Sequence, residues 1–314
     1  MSKASAPGKL ILFGEHFVVY GLPAIATAIE SRTIAEVQRA PKYSLVDNRP
    51  ETPGYKKKKY EQQIDSVQRI FKAMNIDKDK TPVKIVLSGD LVATSGVGAS
   101  AASCSAIVAA LNEEFKLGLS KEKINDIAYE GEKGYHGTPS GIDNSCSTFG
   151  GFIWFKKEAG GNIIKPFDLR YSLQIVIGNT AITSNTTKVV EEVKQKKEKN
   201  PEKFKKIFDD YTMIVNAAKT AIERKDLNTL GQLMNRNHEF LREIGVSCYE
   251  LEELVQIARE NSALGAKLTG TGRGGLMIAL VRETESQRVA SAFKDAGYGS
   301  EIINVGSEGV KVIR

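Results

Sequence analysis

The sequence predicts an α+β protein of two domains. Its 314 residues exceed what one compact hydrophobic core usually holds, so two domains are expected. Strand patterns recur along the chain between helical patterns that bury one face. Near residue 170 the chain becomes mostly helical and highly charged. We therefore predict an N-terminal domain over residues 1–168 and a C-terminal domain over residues 169–314.

The first 80 residues contain strand patterns followed by a helix. Apolar runs at residues 10–13 and 17–20 flank a glycine turn and predict two strands. Residues 41–60 are rich in Pro, Lys and Tyr, which predicts an exposed excursion. Apolar residues at helical spacing then predict a helix over residues 60–74.

A strand, a glycine-rich loop and two helices follow. Residues 83–87 predict the strand, and the alanine-rich residues 100–115 predict the first helix. Ser120 is placed to cap the second helix, which a Gly-Pro-Ser loop at residues 134–141 interrupts. Another strand is predicted over residues 151–155.

The second half is dominated by helix. A strand over residues 173–177 precedes a charged and mostly helical stretch at residues 188–259. Strands over residues 275–281 and 301–305 then bracket a helix near residues 285–296. This order completes the predicted α+β arrangement.

Composition narrows the function classes. The net charge of +6 suits anionic ligands, but the lysine runs at residues 56–59 and 194–199 have no interleaved aromatic residues and indicate solvated faces, not a nucleic-acid site. No stretch approaches the roughly 20 apolar residues of a membrane span. Three cysteines without metal-like spacing, and no secretory segment, predict free thiols in a reducing cytoplasm.

A glycine-rich loop follows the strand at residues 83–87. Its sequence at residues 96–101 fits the dinucleotide fingerprint G-x-G-x-x-G/A. A dinucleotide fold requires a second strand after the next helix, whereas this helix is followed by another helix. The Walker loop and the protein-kinase signatures are also absent from the sequence. Gly96 and Gly98 before a helix N-terminus still suit a phosphate, although a simple packing turn stays an alternative.

Three further segments carry polar residues that are candidates for a functional site. Lys9 and His16 stand at the two ends of an apolar run. Glu132 lies near the buried face of its helix, where a carboxylate is costly unless a cation meets it. Asp143 follows a Gly-Pro loop and could be no more than a helix cap. Residues 267–275 form a second glycine-rich segment before a strand.

Together these segments resemble the three signatures of the GHMP kinase superfamily, in the same order and at similar separations, from residue 6 to about residue 280. Within it the chain is similar to the mevalonate kinases, because residues 14–20 read GEHFVVY and residues 137–144 read GTPSGIDN. The resemblance implies an N-terminal domain with a ribosomal-protein-type left-handed β-α-β unit and a ferredoxin-like α+β C-terminal domain.

The resemblance also implies a function and a site. The reaction is ATP-dependent phosphorylation of (R)-mevalonate to 5-phosphomevalonate, in the route to isoprenoids, with Mg²⁺ as cofactor. The implied catalytic residues are Asp143 and Lys9. The implied substrate-binding residues are Lys9, Glu15, His16, Ser140, Asp143 and Thr186. The implied nucleotide-binding residues are Ser95, Gly96, Val97, Gly98, Ala99, Ser100, Ala101, Gly270 and Gly272. The implied metal ligands are Ser100 and Glu132.

The chain departs from the usual signatures at a few positions. The second signature usually has Pro, Gly, Leu and Ser at the positions of Ala93, Ser95, Val97 and Ala99, and the third usually has Gly at that of Arg273. These substitutions resemble a variant of some protozoan mevalonate kinases. They leave open how the nucleotide is held.

Two other functions stay open. One is another small-molecule kinase of the superfamily, such as a phosphomevalonate kinase. The other is a non-catalytic binding module, which should have lost Lys9, Ser100, Glu132 or Asp143, all of which are present. A homodimer and inhibition by isoprenoid diphosphates are common among relatives, but no residue in the sequence identifies either property.

Overall fold

The computed structural model describes residues 1–93, 96–158, 161–167 and 171–313. The elements of its N-terminal part are β1 (Ser2–Phe13), β2 (Ala24–Arg39), β3 (Ser44–Asp47), α1 (Tyr55–Ala73), β4 (Val83–Gly89), α2 (Ala99–Phe115), α3 (Lys121–His136), α4 (Ile142–Phe149), β5 (Phe152–Glu158) and β6 (Gly161–Phe167). The elements of its C-terminal part are β7 (Leu173–Asn179), α5 (Thr186–Lys199), α6 (Pro201–Glu223), α7 (Leu227–Glu243), α8 (Tyr249–Glu260), β8 (Gly265–Thr269), β9 (Leu276–Val281), α9 (Ser286–Asp295), β10 (Gly299–Val305) and β11 (Lys311–Ile313).

The 16-residue strand β2 organises the N-terminal sheet. It pairs antiparallel with β1 along most of its length, with β5 through its first residues and with β4 through its last. β3 and β4 pair in parallel across α1 and so form a β-α-β unit. Strand β1 is buried over most of its length because α2 and α4 pack against it. Residues of β1, including Lys9, are therefore held between the sheet and these two helices.

The C-terminal sheet has the strand order β10-β7-β9-β8, and each neighbouring pair is antiparallel. In chain order this is 4-1-3-2, the arrangement of a ferredoxin-like domain, with α5 to α8 inserted between its first and second strands. The charged helical stretch predicted from the sequence is this insertion. The predicted α+β fold with a ferredoxin-like C-terminal part is confirmed.

The end of the chain returns to the N-terminal sheet. β11 pairs with β1, a pairing that the sequence left open. The guanidinium of Arg32 on β2 fixes the return, since it donates to the carbonyl oxygens of Glu308 and Gly309 at 2.7 and 2.6 Å and to Ser5 Oγ at 3.0 Å. The predicted boundary at residue 168 falls on residues 168–170, outside the described residues, and stays a prediction.

One local prediction was wrong, and another holds in part. Residues 17–20 form a 3₁₀ helix (Phe17–Tyr20) and not a strand. In this segment only Phe17 is buried, where it stacks on Tyr211 with ring centroids 3.9 Å apart, so the apolar run did not reflect a strand with one buried face. Most of residues 41–60 are exposed, as predicted, but the segment also contains β3, the start of α1 at Tyr55 and the buried Arg49.

The three cysteines are free thiols, as predicted. No helix within the described ranges combines the length and the apolar character that a membrane span requires.

Candidate active site

Lys9 lies where β1 meets the phosphate loop, the name used here for residues 92–98. Its Nζ donates to Gly96 O at 2.9 Å and lies 3.6 Å from Oδ2 of Asp143. Its backbone N–H donates to Val97 O at 2.8 Å. A Cβ on Gly98 would lie only 2.8 Å from Lys9 Cγ, so the close packing requires glycine. The loop thus holds the ammonium group beside Asp143.

The phosphate loop leads into the N-terminus of α2. Gly98 is the N-cap residue, with φ of 73°, and it has no side chain with which to cap the helix. The first intrahelical bond runs from Ala102 N–H to Gly98 O, so helix geometry leaves the N–H groups of residues 99–101 without an intrahelical partner. These amides and the helix dipole favour an anion. Ser95, also predicted to bind nucleotide, lies outside the described residues.

Glu132 on α3 is a buried carboxyl group beside Ser100. Burial, with the negative charge of Asp143, raises the pKa of Glu132 to about 8 against a hydrogen bond from Ser100. His136, one turn further on, places Nε2 at 3.9 Å from Glu132 Oε2 and 3.4 Å from Ser100 Oγ.

The oxygens of Ser100 and Glu132 suit Mg²⁺, which binds few protein carboxylates and completes its octahedron with phosphate and water. Within the described residues no group of three or more His, Cys, Asp or Glu side chains could hold a metal.

Asp143 lies in the first turn of α4, whose N-cap is Gly141 with φ of 91°. Asp143 is therefore not the helix cap that the sequence left as an alternative. Its side chain is 32% exposed and lies next to Lys9. Ser140, which precedes the N-cap residue Gly141, is exposed. Its Oγ accepts from the Ile142 N–H at 3.3 Å, which shapes the turn into α4.

The second glycine loop, residues 270–275, connects β8 to β9. Gly270 and Gly272 both adopt left-handed φ values, 78° and 77°. The carbonyl oxygen of Thr271 accepts from His16 Nε2 at 2.7 Å, and its Oγ1 lies 2.8 Å from Thr186 Oγ1 at the start of α5. Through Thr271 the loop therefore contacts both His16, near the start of the sequence, and Thr186, near its middle.

His16 is buried and neutral. Burial lowers its pKa, and donation from Nε2 to a carbonyl oxygen fixes the proton on that nitrogen. Nδ1 is then an acceptor, and no hydrogen-bond partner for it is found in the described part of the chain.

Glu15 is fully buried and forms an ion pair with Lys267 of β8, which is also fully buried. Lys267 Nζ donates in addition to Leu268 O at 2.8 Å, and Glu15 Oε2 accepts from the Gly14 N–H at 3.1 Å. Burial raises the pKa of Glu15 and lowers the pKa of Lys267, and the charge of each partner opposes the shift of the other. The pair joins the loop after β1 to the C-terminal sheet and does not face the cleft.

Arg273, one of the departures from the third signature, has φ of 53°, a left-handed conformation that favours glycine. Its guanidinium forms an ion pair with Glu192 and donates to Gly245 O at 3.3 Å, and its N–H donates to Val246 O at 2.8 Å. These bonds offset the backbone strain, about 1–3 kcal/mol. Arginine is therefore tolerated here because its side chain links the loop to α5 and to the turn before α8.

Sequence reasoning missed Arg49 and His136, which lie beside Ser100, and Lys267, whose buried pair with Glu15 links the loop after β1 to the C-terminal sheet. Arg49 gave no signal, because it stands in a segment predicted to be exposed. His136 could have been found, since a histidine four residues after a buried glutamate lies on the same helix face. Lys267 stands among apolar residues of a strand, which indicates a buried and paired charge.

A small cleft of about 10 Å³ lies next to the N-terminus of α2. Its lining residues are Asp47, Arg49, Tyr55, Lys56, Lys59, Gln63, Ala99, Ser100 and Tyr135. The basic side chains suit an anionic group, and the tyrosine rings offer aromatic surface. Because Ala99 and Ser100 line it, the cleft adjoins the first turn of α2.

Two family models match the chain. The GHMP kinases N terminal domain matches residues 65–151, which include the phosphate loop, Glu132 and Asp143. The GHMP kinases C terminal model matches residues 218–299, which include the second glycine loop.

Relatives of similar length share the whole architecture. The chain is 35% identical to a mevalonate kinase of Pyrococcus furiosus and 31% identical to one of Saccharolobus solfataricus, and at least 96% of each chain is covered. A crystal structure of L. major mevalonate kinase in complex with R-mevalonate is 40% identical, with a TM-score of 0.91 and coverage of 98% of this chain and 97% of that one.

Proposed function

Since the chain belongs to the GHMP kinase family, in its mevalonate kinase branch, we propose that it transfers the γ-phosphoryl group of ATP to the terminal hydroxyl of (R)-mevalonate. The products are 5-phosphomevalonate and ADP. The observation that carries this proposal is the contact of Lys9 with both Gly96 O and Asp143. One ammonium group there joins a phosphate-binding loop to a candidate base.

The nucleotide phosphates bind at the N-terminus of α2. The amides of residues 99–101 donate to phosphate oxygens, and Gly96 and Gly98 let the backbone approach them. Gly270 and Gly272 of the second glycine loop contribute from the C-terminal domain. Lys56 and Lys59 in the adjoining cleft add positive charge.

Ser100 Oγ and the Glu132 carboxylate would hold Mg²⁺. When bound, the metal neutralises charge on the phosphate oxygens. A metal held there would also balance the negative charge of the buried Glu132 carboxylate, from which His136 Nε2 lies 3.9 Å away.

Asp143 and Lys9 act on the acceptor. Asp143 takes the proton of the terminal hydroxyl as the oxygen forms its bond to the γ-phosphorus and the bond to the ADP oxygen breaks. Lys9 neutralises charge on the hydroxyl oxygen and on the transferring group. Their separation of 3.6 Å lets one substrate oxygen lie within reach of both groups.

Three polar groups orient mevalonate. His16 Nδ1, an acceptor without a partner in the described ranges, can receive a hydroxyl hydrogen of the substrate. Ser140 and Thr186 would contribute hydroxyl groups from the turn before α4 and from the start of α5. Glu15 takes a supporting role through its buried pair with Lys267.

The experiment is an ADP-release assay of the purified protein with ATP, Mg²⁺ and a panel of acceptors: mevalonate, 5-phosphomevalonate, galactose and homoserine. We expect turnover with mevalonate and none with the others. Asp143→Asn should lower kcat by about 10²–10⁴, the usual cost of losing a general base, with little change in ATP affinity.

Asp209→Asn, an exposed residue of α6, is the matched control and should keep the parent rate. Turnover with 5-phosphomevalonate but not mevalonate would establish the phosphomevalonate kinase alternative. Nucleotide binding without turnover of any acceptor would establish the non-catalytic one. A homodimer, inhibition by isoprenoid diphosphates and a cytoplasmic location stay predictions.

A further inference from the structure

The segment between β3 and α1 holds the phosphate loop from one side. Pro50 O accepts from the Ala93 N–H at 2.7 Å, and the Thr52 N–H donates to Ala93 O at 3.2 Å. The usual signature has proline at the position of Ala93, and a proline has no N–H to donate. This departure from the signature therefore supplies a bond between the loop and the segment beside it.

Arg49 in the same segment holds the first turn of α2, directly after the phosphate loop. Its side chain is 4% exposed. Nη1 donates to Ala99 O at 3.0 Å and to Ser103 Oγ at 2.5 Å. Ser103 Oγ itself donates to Ala99 O at 2.8 Å, so the three groups form a closed set of hydrogen bonds around the first turn of α2.

The guanidinium of Arg49 is itself held in place. Asp47 accepts from its Nε at 2.9 Å and from Nη2 at 2.6 Å, which is a bidentate pair. Gln63 Nε2 donates to Asp47 Oδ2 at 2.8 Å. Lys56 Nζ donates to the carbonyl oxygens of Asp47 and Arg49 at 3.0 and 2.8 Å. These hydrogen bonds hold the buried guanidinium of Arg49 in a single orientation.

We propose that Arg49 is a positioning residue for nucleotide binding, which fixes the first turn of α2 so that its amides and the Ser100 hydroxyl face the phosphates. Ser100 lies between the two groups that Arg49 contacts, Ala99 and Ser103. A rotation of this turn would move the hydroxyl and the free amides together. The inference rests on the proposed function only in that the loop binds ATP.

The geometry requires arginine rather than any cation. One edge of the guanidinium, Nε and Nη2, donates to both oxygens of Asp47, and Nη1 donates to Ala99 and Ser103. A lysine ammonium carries the same charge but lacks the planar fork that spans both sets of acceptors. Arg49→Lys should therefore keep much of the fold and still lose nucleotide affinity.

The test measures ADP and ATP binding by titration calorimetry without acceptor, the KM values for ATP and mevalonate, and the thermal midpoint. We expect Arg49→Met and Arg49→Lys to weaken nucleotide binding about 10- to 100-fold, since hydrogen bonds to a charged group are lost. Ser103→Ala, which keeps the pair with Asp47, should weaken it about 2- to 10-fold. The KM for mevalonate should change less than about twofold. Arg69→Met, at an exposed arginine of α1 that pairs with Asp65, is the matched control and should leave all constants unchanged.

Other outcomes overturn the inference. If the two KM values rise together, or if only the thermal midpoint falls, Arg49 has a general structural role. If Arg49→Met does not fold, unchanged nucleotide binding in Ser103→Ala and Arg49→Lys overturns it, and weakened binding supports it. Because binding is measured without acceptor, a parent protein that binds ATP but does not phosphorylate mevalonate contradicts the proposed function alone.

Discussion

The two glycine-rich loops of this protein are alike in composition and differ in what surrounds them. The phosphate loop leads into a helix; the side chain of Lys9 holds the loop, and that of Arg49 holds the first turn of the helix. The second glycine loop connects two antiparallel strands. It contacts the backbone of Val246 and the side chains of His16 and Thr186, and the buried pair of Glu15 and Lys267 lies at its base. A glycine-rich sequence therefore indicates close backbone approach, whereas the surroundings decide whether the backbone approaches a ligand or another part of the protein.

The same contrast appears at single glycines. At Gly98 an added Cβ would meet the Lys9 side chain at 2.8 Å. At Gly272 it would meet the backbone oxygen of Val246 at 2.1 Å. The first glycine leaves room for a catalytic side chain, and the second allows two backbone segments to pack together.

The largest effect should follow from breaking the buried pair at the base of the second glycine loop. Lys267→Met leaves the Glu15 carboxylate buried without its cation, so we expect a loss of about 3–5 kcal/mol in the free energy of unfolding, measured with urea. The double variant Glu15→Gln/Lys267→Met removes the uncompensated charge and should recover part of this loss. Lys203→Met, on the exposed face of α6, is the control. A single variant within about 1 kcal/mol of the parent would mean that the pair does not join the domains.

Alanine at the two glycines should separate activity from stability. Gly272→Ala combines a left-handed φ with a backbone clash and should cost about 2–4 kcal/mol of stability. Gly98→Ala moves Lys9 instead, so its kcat should fall about tenfold or more while its stability falls by less than in Gly272→Ala. The measurements are urea unfolding and the mevalonate-dependent rate for both variants. Equal losses of stability would contradict the distinction drawn between the loops.

The smallest of these effects concerns the metal beside the phosphate loop. Glu132→Gln replaces the proposed ligand with a neutral side chain of similar shape, and we expect the Mg²⁺ concentration for half-maximal binding of ATP to rise about tenfold or more. Titration calorimetry of ATP at several Mg²⁺ concentrations measures this without turnover. Glu130→Gln, two residues away and paired with Lys133 at 2.6 Å, should behave like the parent. An unchanged Mg²⁺ dependence in Glu132→Gln would remove Glu132 from the metal site.

Much of the architecture was predictable because its signals are local. The cap of α3 and the glycine loops follow from short patterns, and Ser120 caps α3 by accepting from Lys123 N–H at 3.3 Å. The ferredoxin-like order was expected from the family resemblance, since the patterns did not predict β8. The burial of Glu132 was predictable from its position on a helix face.

The remainder depends on contacts between distant residues. Nothing near Arg49 in the sequence shows that its partners are Ala99 and Ser103, about 50 positions away. The pairing of Glu15 with Lys267 joins residues from opposite ends of the sequence, so no local pattern near either residue predicts it. A four-residue apolar run such as residues 17–20 is too short for its period to distinguish a strand from a helical turn.

The pairing of β11 with β1 has a consequence for biosynthesis. β1 is synthesised long before residues 311–313, from which its outer edge receives hydrogen bonds. The guanidinium of Arg32 likewise gains its bonds to the carbonyl oxygens of Glu308 and Gly309 only after those residues have been synthesised. The nascent N-terminal domain therefore carries an incomplete sheet edge until β11 follows, and such an edge can pair with other chains. Emergence of β11 from the ribosome is the step that closes it.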